Sequence, residues 1–226
     1  MKLLLSIVVL VCASNIVLAQ FQDDFSDGDI TNNPTWFGED SIFIVNGSNE
    51  LQLDAYPITT DAFLATESEA IENAVWEFQV KLDFNPSGSN YSKVYLASNT
   101  PNLKGSLNGY YVYIGGSSDE ISLFRQDGSQ TEKIIAGVES SVDMGFVDTY
   151  VRVTRDEVGN WELERDTSGS NTTYISEGTV FDDTYVQTFF FGVYCDYTQT
   201  RSDKFFYDNF SVTGTPFFDP NPPVLV

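Results

Sequence analysis

The sequence predicts an all-β protein built as a two-sheet antiparallel β-sandwich, and three observations carry that prediction. The stretch Ala74–Phe84, AVWEFQVKLDF, alternates apolar and polar side chains without a break. Strand side chains have period two, so Trp76, Phe78, Val80, Leu82 and Phe84 share a buried face, opposite Glu77, Gln79, Lys81 and Asp83. Runs of the same kind recur to the end of the chain, with turn chemistry between them. No segment after the leader has a convincing helical period.

The elements follow in order. Met1-Lys2, the apolar run Leu3–Val11 and the small-residue site Val17-Leu18-Ala19 form a secretion signal over residues 1–19, with cleavage expected near Ala19. The apolar run is too short to span a membrane. Residues 20–214 form one domain. After Ala74–Phe84 come YSKVYLAS, the loop NTPNLKGSLNG, YYVYIGG, ISLFRQ and TEKIIAG. Asp127-Gly128 between two alternating runs is a strong hairpin signal. TYVRVTRD and WELERD follow, joined by a turn at Val158-Gly159-Asn160, and TTYISEGTV, VQTFFFGVYCDY and KFFYDNFSVTG complete about a dozen short strands. Residues 215–226, TPFFDPNPPVLV, are proline-rich and read as a linker toward a further domain.

Composition excludes several classes of function. Lys and Arg number 11 against 33 Asp and Glu, a net charge of −22, so neither nucleic acid nor an anionic membrane finds the basic patch it requires. Histidine is absent, which removes His-based triads, His–metal sites and imidazole acid–base chemistry. Once the leader carrying Cys12 is removed, Cys195 stands alone, with no intramolecular disulfide available to it. Its setting, TFFFGVYCDY, is that of a buried thiol, with no basic neighbour to activate it.

The set WEFQVKLDFNPSGSNYSKVYLAS, NGYYVYIGG, ISLFRQDG, VRVTRDEVGNWELERD and FFGVYCDYTQTRSDKFFYDNFSVTG resembles the laminin-G-like, concanavalin-A-like jelly-roll modules of secreted multidomain Bacteroidota proteins. The likeness covers Gln20 to Gly214. It implies a concanavalin-A-like jelly roll, secreted or on the cell surface. It leaves activity open, because folds of this kind carry lectins, carbohydrate-binding modules, glucanases and plain adhesion domains.

Sandwiches of this kind often set their terminal strands side by side with a structural Ca²⁺ near them, so the resemblance implies a calcium site. Its side chains would be Asp24, Asp27 and Asp29 of QDDFSDGD together with Asp208. Calcium needs six to eight oxygen ligands, and the same aspartates equally serve as turn residues. Glu67–Glu72, ESEAIE, is similar to the E-x-D-x-x-E signature of laminarinase-type retaining glucanases. It carries Glu at the central position, and Ser68 and Ala70 are too small to anchor a catalytic strand, so no catalytic residue is assigned. Glu162, Glu164 and Asp166 alternate along WELERD and read as a water-facing surface.

The remaining constellation is aromatic. Tyr111 and Tyr113 share a face opposite Val112 and Ile114, and Phe124 and Gln126 lie opposite Leu123 and Arg125. With Val112, Ile114, Ile121 and Leu123 in the core, Tyr111, Tyr113, Phe124 and Gln126 line the other face of the same sheet, and Tyr194 extends it. Rings with an amide beside them suit pyranoses, although cross-strand aromatic pairs also stabilise sheets with no ligand. Arg125, Arg201 and Lys204 either pair with acids such as Asp127 and Asp203 or hold an acidic sugar. The sequence thus points to a secreted non-catalytic carbohydrate-binding or adhesion module with polysaccharide as partner. A structural or protein-interaction domain is the alternative, and a glycoside hydrolase ranks third.

Overall fold

The computed structural model describes residues 18–217; the proposed leader up to residue 17 and the linker residues 218–226 lie outside the described residues. Fifteen strands succeed one another: β1 (Leu18–Asp23), β2 (Phe37–Gly38), β3 (Phe43–Val45), β4 (Leu51–Leu53), β5 (Thr60–Glu67), β6 (Glu72–Leu82), β7 (Tyr91–Ser98) and β8 (Leu107–Gly115). The chain continues through β9 (Glu120–Gly128), β10 (Gln130–Ile135), β11 (Val147–Arg155), β12 (Asn160–Asp166), β13 (Ile175–Phe181), β14 (Phe190–Tyr197) and β15 (Phe205–Thr215). Every strand pairing is antiparallel.

Two sheets result. The eight-stranded sheet runs β13-β12-β11-β6-β15-β4-β3, with β1 also pairing to β15; the seven-stranded sheet runs β10-β9-β8-β7-β14-β5-β2. The terminal strands meet, with Phe21 opposite Val212 and Gln22 opposite Ser211. The expected strand Ala74–Phe84 appears as β6 in the centre of its sheet. Trp76, Phe78, Val80, Leu82 and, just beyond the strand, Phe84 are all buried. They face Val112, Ile114, Ile121 and Leu123 of the other sheet, which are fully buried in the same core. Both sheets therefore hide one side of an alternating pattern, as two packed sheets must.

Cys195 lies in this core. Its Sγ is 3.2 Å from the Tyr207 hydroxyl, and burial pushes the thiol up to about 12, so it is protonated and unreactive at neutral pH. One surface expectation is corrected. Glu162 and Glu164 do reach the outer side of the eight-stranded sheet, half-buried, but Asp166 is only 1% exposed. Its carboxylate accepts from the backbone N–H groups of Ser168, Thr172 and Thr173. Burial opposes ionisation there, but those donors outweigh it and hold the group well below the usual carboxylate range. Asp166 organises the β12–β13 turn rather than facing water.

Candidate functional site

The outer face of the seven-stranded sheet is built by register. Tyr113 stands opposite Lys93 on β7 and Ser122 on β9, and Tyr111 opposite Tyr95 and Phe124. Lys93 in turn faces Tyr194 on β14, and Tyr194 faces Phe63 on β5. The aromatic side chains among these form a second apolar cluster, separate from the core between the sheets. Tyr111 and Phe124 stack with their planes 4° apart and centroids at 5.3 Å, Tyr95 and Tyr111 lie at 5.0 Å, and Tyr91 and Tyr113 at 4.7 Å. Cross-strand contacts of this kind contribute about 0.2–1 kcal/mol each beyond burial.

The face has a covered half and an open half. The loop between β7 and β8 folds down on it and buries Leu103 and Leu107 against the rings. Gly192 on β14 makes this approach possible: a Cβ there would sit 2.7 Å from Leu103 Cδ1 and 2.3 Å from the Leu64 carbonyl. Lys104 fastens the loop by pairing with Glu39 at 2.7 Å and Asp61 at 2.9 Å. The side-chain N–H of Gln126 fastens it again by donating to the Gly105 carbonyl at 2.8 Å.

The predicted binding residues divide along the same line. Gln126 is 5% exposed, and its amide is spent on Gly105, Gly128 and the Tyr95 hydroxyl. Tyr194 is 8% exposed and donates its hydroxyl to Asp61 at 2.8 Å. Tyr111 is 3% exposed, with one side of its ring under the cover, and burial pushes its phenol up to about 12. Tyr113 and Phe124 remain partly open. They join Tyr111 and Tyr91 around a cleft of about 350 Å³, closed at its rim by Ser117, Ser118 and Thr131. Gly116, at φ 74°, turns the chain where a Cβ would collide with the Tyr113 ring at 2.3 Å.

Two lysines and one glutamate supply the cleft's charge. Lys133 pairs with Glu120. Lys93 Nζ lies 4.8 Å from the Tyr111 centroid, 5.0 Å from Tyr194 and 5.9 Å from Tyr91, a cation held over three rings. Burial lowers its pKa, against the pull of Asp196 and Asp61. Asp196 receives the Tyr91 hydroxyl at 3.2 Å, and its own pKa is raised, first of all by burial. Tyr91 and Lys93 were not among the residues singled out from the sequence. Their signal was the period-two spacing of Tyr91, Lys93 and Tyr95 in YSKVYLAS.

The four aspartates do not come together as one ligand set, although Asp24 lies near enough to Asp208 to add to the rise in its pKa that burial causes first. Asp24 accepts from Ser26, Asp27 from the Asp29 N–H, Asp29 from Thr31 and Asn32, and Asp208 from the Asn209 N–H. These are turn-forming bonds made within a few residues. Among the described residues no group of three or more His, Cys, Asp or Glu side chains is placed to hold a metal ion, so the side chains present do not fit a Ca²⁺ site. The residue of this segment that enters the interior is Asp23, bonded to Trp36 Nε1 at 2.7 Å and the Phe25 N–H at 2.9 Å, and burial pushes it up to about 6.

The other acids and bases singled out from the sequence do not converge on one site. Glu67 ends β5 and Glu72 begins β6, on strands of different sheets. Arg125 pairs with Asp127 at 3.1 Å, Glu132 at 2.7 Å and Asp182. Lys204 pairs with Asp83 at 3.0 Å rather than with Asp203, and Arg201 lies over the Phe84 ring. A larger cleft of about 750 Å³ opens at one end of the eight-stranded sheet, but its acids are already used, Asp156 by Asn160 and Glu162 by Ser176. No helix among the described residues is long and apolar enough to cross a membrane.

An all-antiparallel sandwich of eight and seven strands, with β1 beside β15, has the architecture of a legume-lectin-like, concanavalin-A-like β-sandwich. Among solved structures, it is similar to the VIP36 exoplasmic/lumenal domain in its Ca²⁺/Man3GlcNAc-bound form, at TM-score 0.65 and 11% identity, over 91% of this chain and 93% of that one. The Emp47p carbohydrate recognition domain aligns at TM-score 0.61 and 8% identity, over 90% of this chain and 100% of that one. The legume lectin-like domain from Entamoeba histolytica aligns at TM-score 0.55 and 15% identity, over 94% and 100%. No family model matches the sequence, and comparison with curated proteins returned no match.

Proposed function

We propose that this protein is a non-catalytic carbohydrate-binding module whose glycan site is the open half of the seven-stranded sheet's outer face. The observation that carries the reading is the cleft itself, with Tyr91, Tyr113 and Phe124 presenting ring surface beside hydroxyls and a lysine. Concave sites with apolar walls and a few converging polar groups are where small ligands bind. A sugar ring would lay its C–H face on Tyr113 or Phe124 while its hydroxyls reach Ser117, Ser118 and Thr131. The likeness to structures described as mannose-bound and as carbohydrate recognition domains supports the reading at the level of fold. Affinity per site is expected between millimolar and micromolar, about 4–8 kcal/mol.

The leader-like residues 1–19 support a secreted or surface location. The laminin-G and Bacteroidota parts of the sequence resemblance draw no support from the similar structures, which are legume-lectin-like. Calcium is not carried into the proposal, because the aspartates named for it are used in turns. A second reading has one observation in its favour: the loop carrying Leu103 covers half of the face, as a structural or protein-interaction domain would require.

Affinity electrophoresis against a panel of plant and algal polysaccharides separates the two readings. Retardation by a glycan, lost in a folded Tyr113→Ala variant, supports the glycan site. Unretarded migration across the panel would sink it in favour of the structural reading.

A further inference from the structure

The described residues include ten basic side chains, and nine of them have a hydrogen bond or an ion pair. Lys93 alone has neither; its ammonium contacts only ring faces. The carboxylates nearest to it are committed elsewhere. Asp61 is held by Lys104 and the Tyr194 hydroxyl, and Asp196 by the Tyr91 hydroxyl. An ammonium has three donors, and those of this half-buried lysine have no protein acceptor and face the cleft, where a ligand's acceptors can take the place of water.

The cleft's charge points the same way. Its walls carry Lys93, Lys133 and Glu120, and the last two neutralise each other. Among the side chains lining the cleft, Lys93 is therefore the one charge without an ion pair, offset only in part by Asp196 and Asp61, which lie near it but do not line the cleft, in a chain whose net charge is −22. The rings around Lys93 limit its access to water, so an anion docking there would meet a partly desolvated cation, where charge-assisted bonds are strongest.

We propose that the cleft is selective for anionic saccharides, with Lys93 receiving the carboxylate of a uronic acid or a sulfate ester while Tyr113 or Phe124 carries the ring. This rests on the reading of the cleft as a glycan site and adds the chemical class of the glycan. Asp61 and Asp196 serve Lys93 by favouring its charged form from a distance. Tyr91 bridges Asp196 to the cleft.

The test is isothermal titration calorimetry of the full chain with three probes: an oligogalacturonate, a sulfated galactan oligosaccharide and the unsulfated galactan of the same length. At least one anionic probe should bind tenfold or more tightly than the neutral galactan, and its affinity should fall as NaCl rises from 50 to 500 mM, values chosen to span strong to weak screening. Which anionic probe binds distinguishes carboxylate from sulfate. Lys93→Met should remove the anionic preference and Lys93→Arg should retain most of it, with thermal melts confirming that both variants fold. If Lys93→Met does not fold, the wild-type comparison of anionic with neutral probes and its salt dependence decide the matter. Equal binding of neutral and anionic probes overturns the inference and leaves the glycan site standing, as does unchanged anionic binding in a folded Lys93→Met. Binding of none of the three, nor of any glycan in the wider panel, overturns both.

Discussion

The two outer faces of this sandwich obey the same alternation and finish differently. On the eight-stranded sheet, β6, β11 and β12 present Glu77, Lys81, Arg152, Glu162 and Glu164. Each of these groups has a partner: Arg152 bonds to Glu77 at 2.7 Å and lies 3.6 Å from Glu164, Lys81 pairs with Glu50 at 2.5 Å, and Glu162 accepts from Ser176. On the seven-stranded sheet the equivalent positions carry Tyr91, Lys93, Tyr111, Tyr113 and Phe124, with half the rings covered and one cation unpaired. A face closed by its own ion pairs has little left to offer a partner. A face built from rings and an ammonium with no ion pair retains interaction capacity, and the functional proposal follows from that difference.

Substitution tests the contrast, beginning with the largest effect. Tyr111→Ala removes the ring stacked on Phe124 and leaves a hole beneath the loop, so urea denaturation should show a loss of about 3–5 kcal/mol. Leu103→Ala uncovers the same rings from above and should cost about 2–3 kcal/mol, at the low end for a buried leucine because the loop can settle.

A pH series examines the one carboxylate on the core side of β1. Asp23 is pushed up to about 6 from an ordinary 3.8, so the folded state binds its proton more tightly than the unfolded chain does. The stability contributed by this group is fully present below about 3.8 and is lost as pH rises through about 6. Stability read from thermal melts should therefore rise from pH 7.5 to pH 5 by about 1.4 kcal/mol, the share of that window lying above roughly pH 5, and Asp23→Asn should flatten the slope.

Smaller effects are expected at the two surfaces themselves. Tyr113→Ala should weaken glycan binding about tenfold, some 1.4 kcal/mol, in a protein whose melt still shows one cooperative transition. Arg152→Ala, on the ion-paired face, should cost under about 1 kcal/mol and leave glycan affinity unchanged. A loss of binding from Arg152→Ala would erase the distinction between the faces.

Much of the architecture was legible because it rests on period-two patterning. β6, β11, β12 and β15 each hide one side and mostly wet or half-wet the other, while β8, β9 and β14 keep the same alternation with an outer side that is largely covered. β5 was not legible as a strand. Leu64 and Thr66 face the core while Phe63 and Ala65 lie under the loop, so both sides are apolar and the alternation that marks a half-buried strand vanishes. The candidate cleft was half legible. Spacing put Tyr111, Tyr113 and Phe124 on one face, but Leu103 as their cover and the missing partner of Lys93 depend on β5, β7 and β14 meeting, strands far apart in sequence. Asp166 and Asp24 show the converse. Their acidity suggested solvent and calcium, whereas short-range backbone donors determine what both carboxylates do.

The central claim is that ligand is received by the aromatic face and not by the ion-paired one. The most direct measurement is a ¹H–¹⁵N and aromatic ¹H–¹³C NMR titration of the full chain with a saccharide that retards it in electrophoresis. Shifts concentrated on Tyr91, Lys93, Tyr113 and Phe124, with Glu77, Arg152 and Glu164 unmoved, are the predicted result. Shifts concentrated on β6, β11 and β12, with the tyrosine rings silent, would contradict the account.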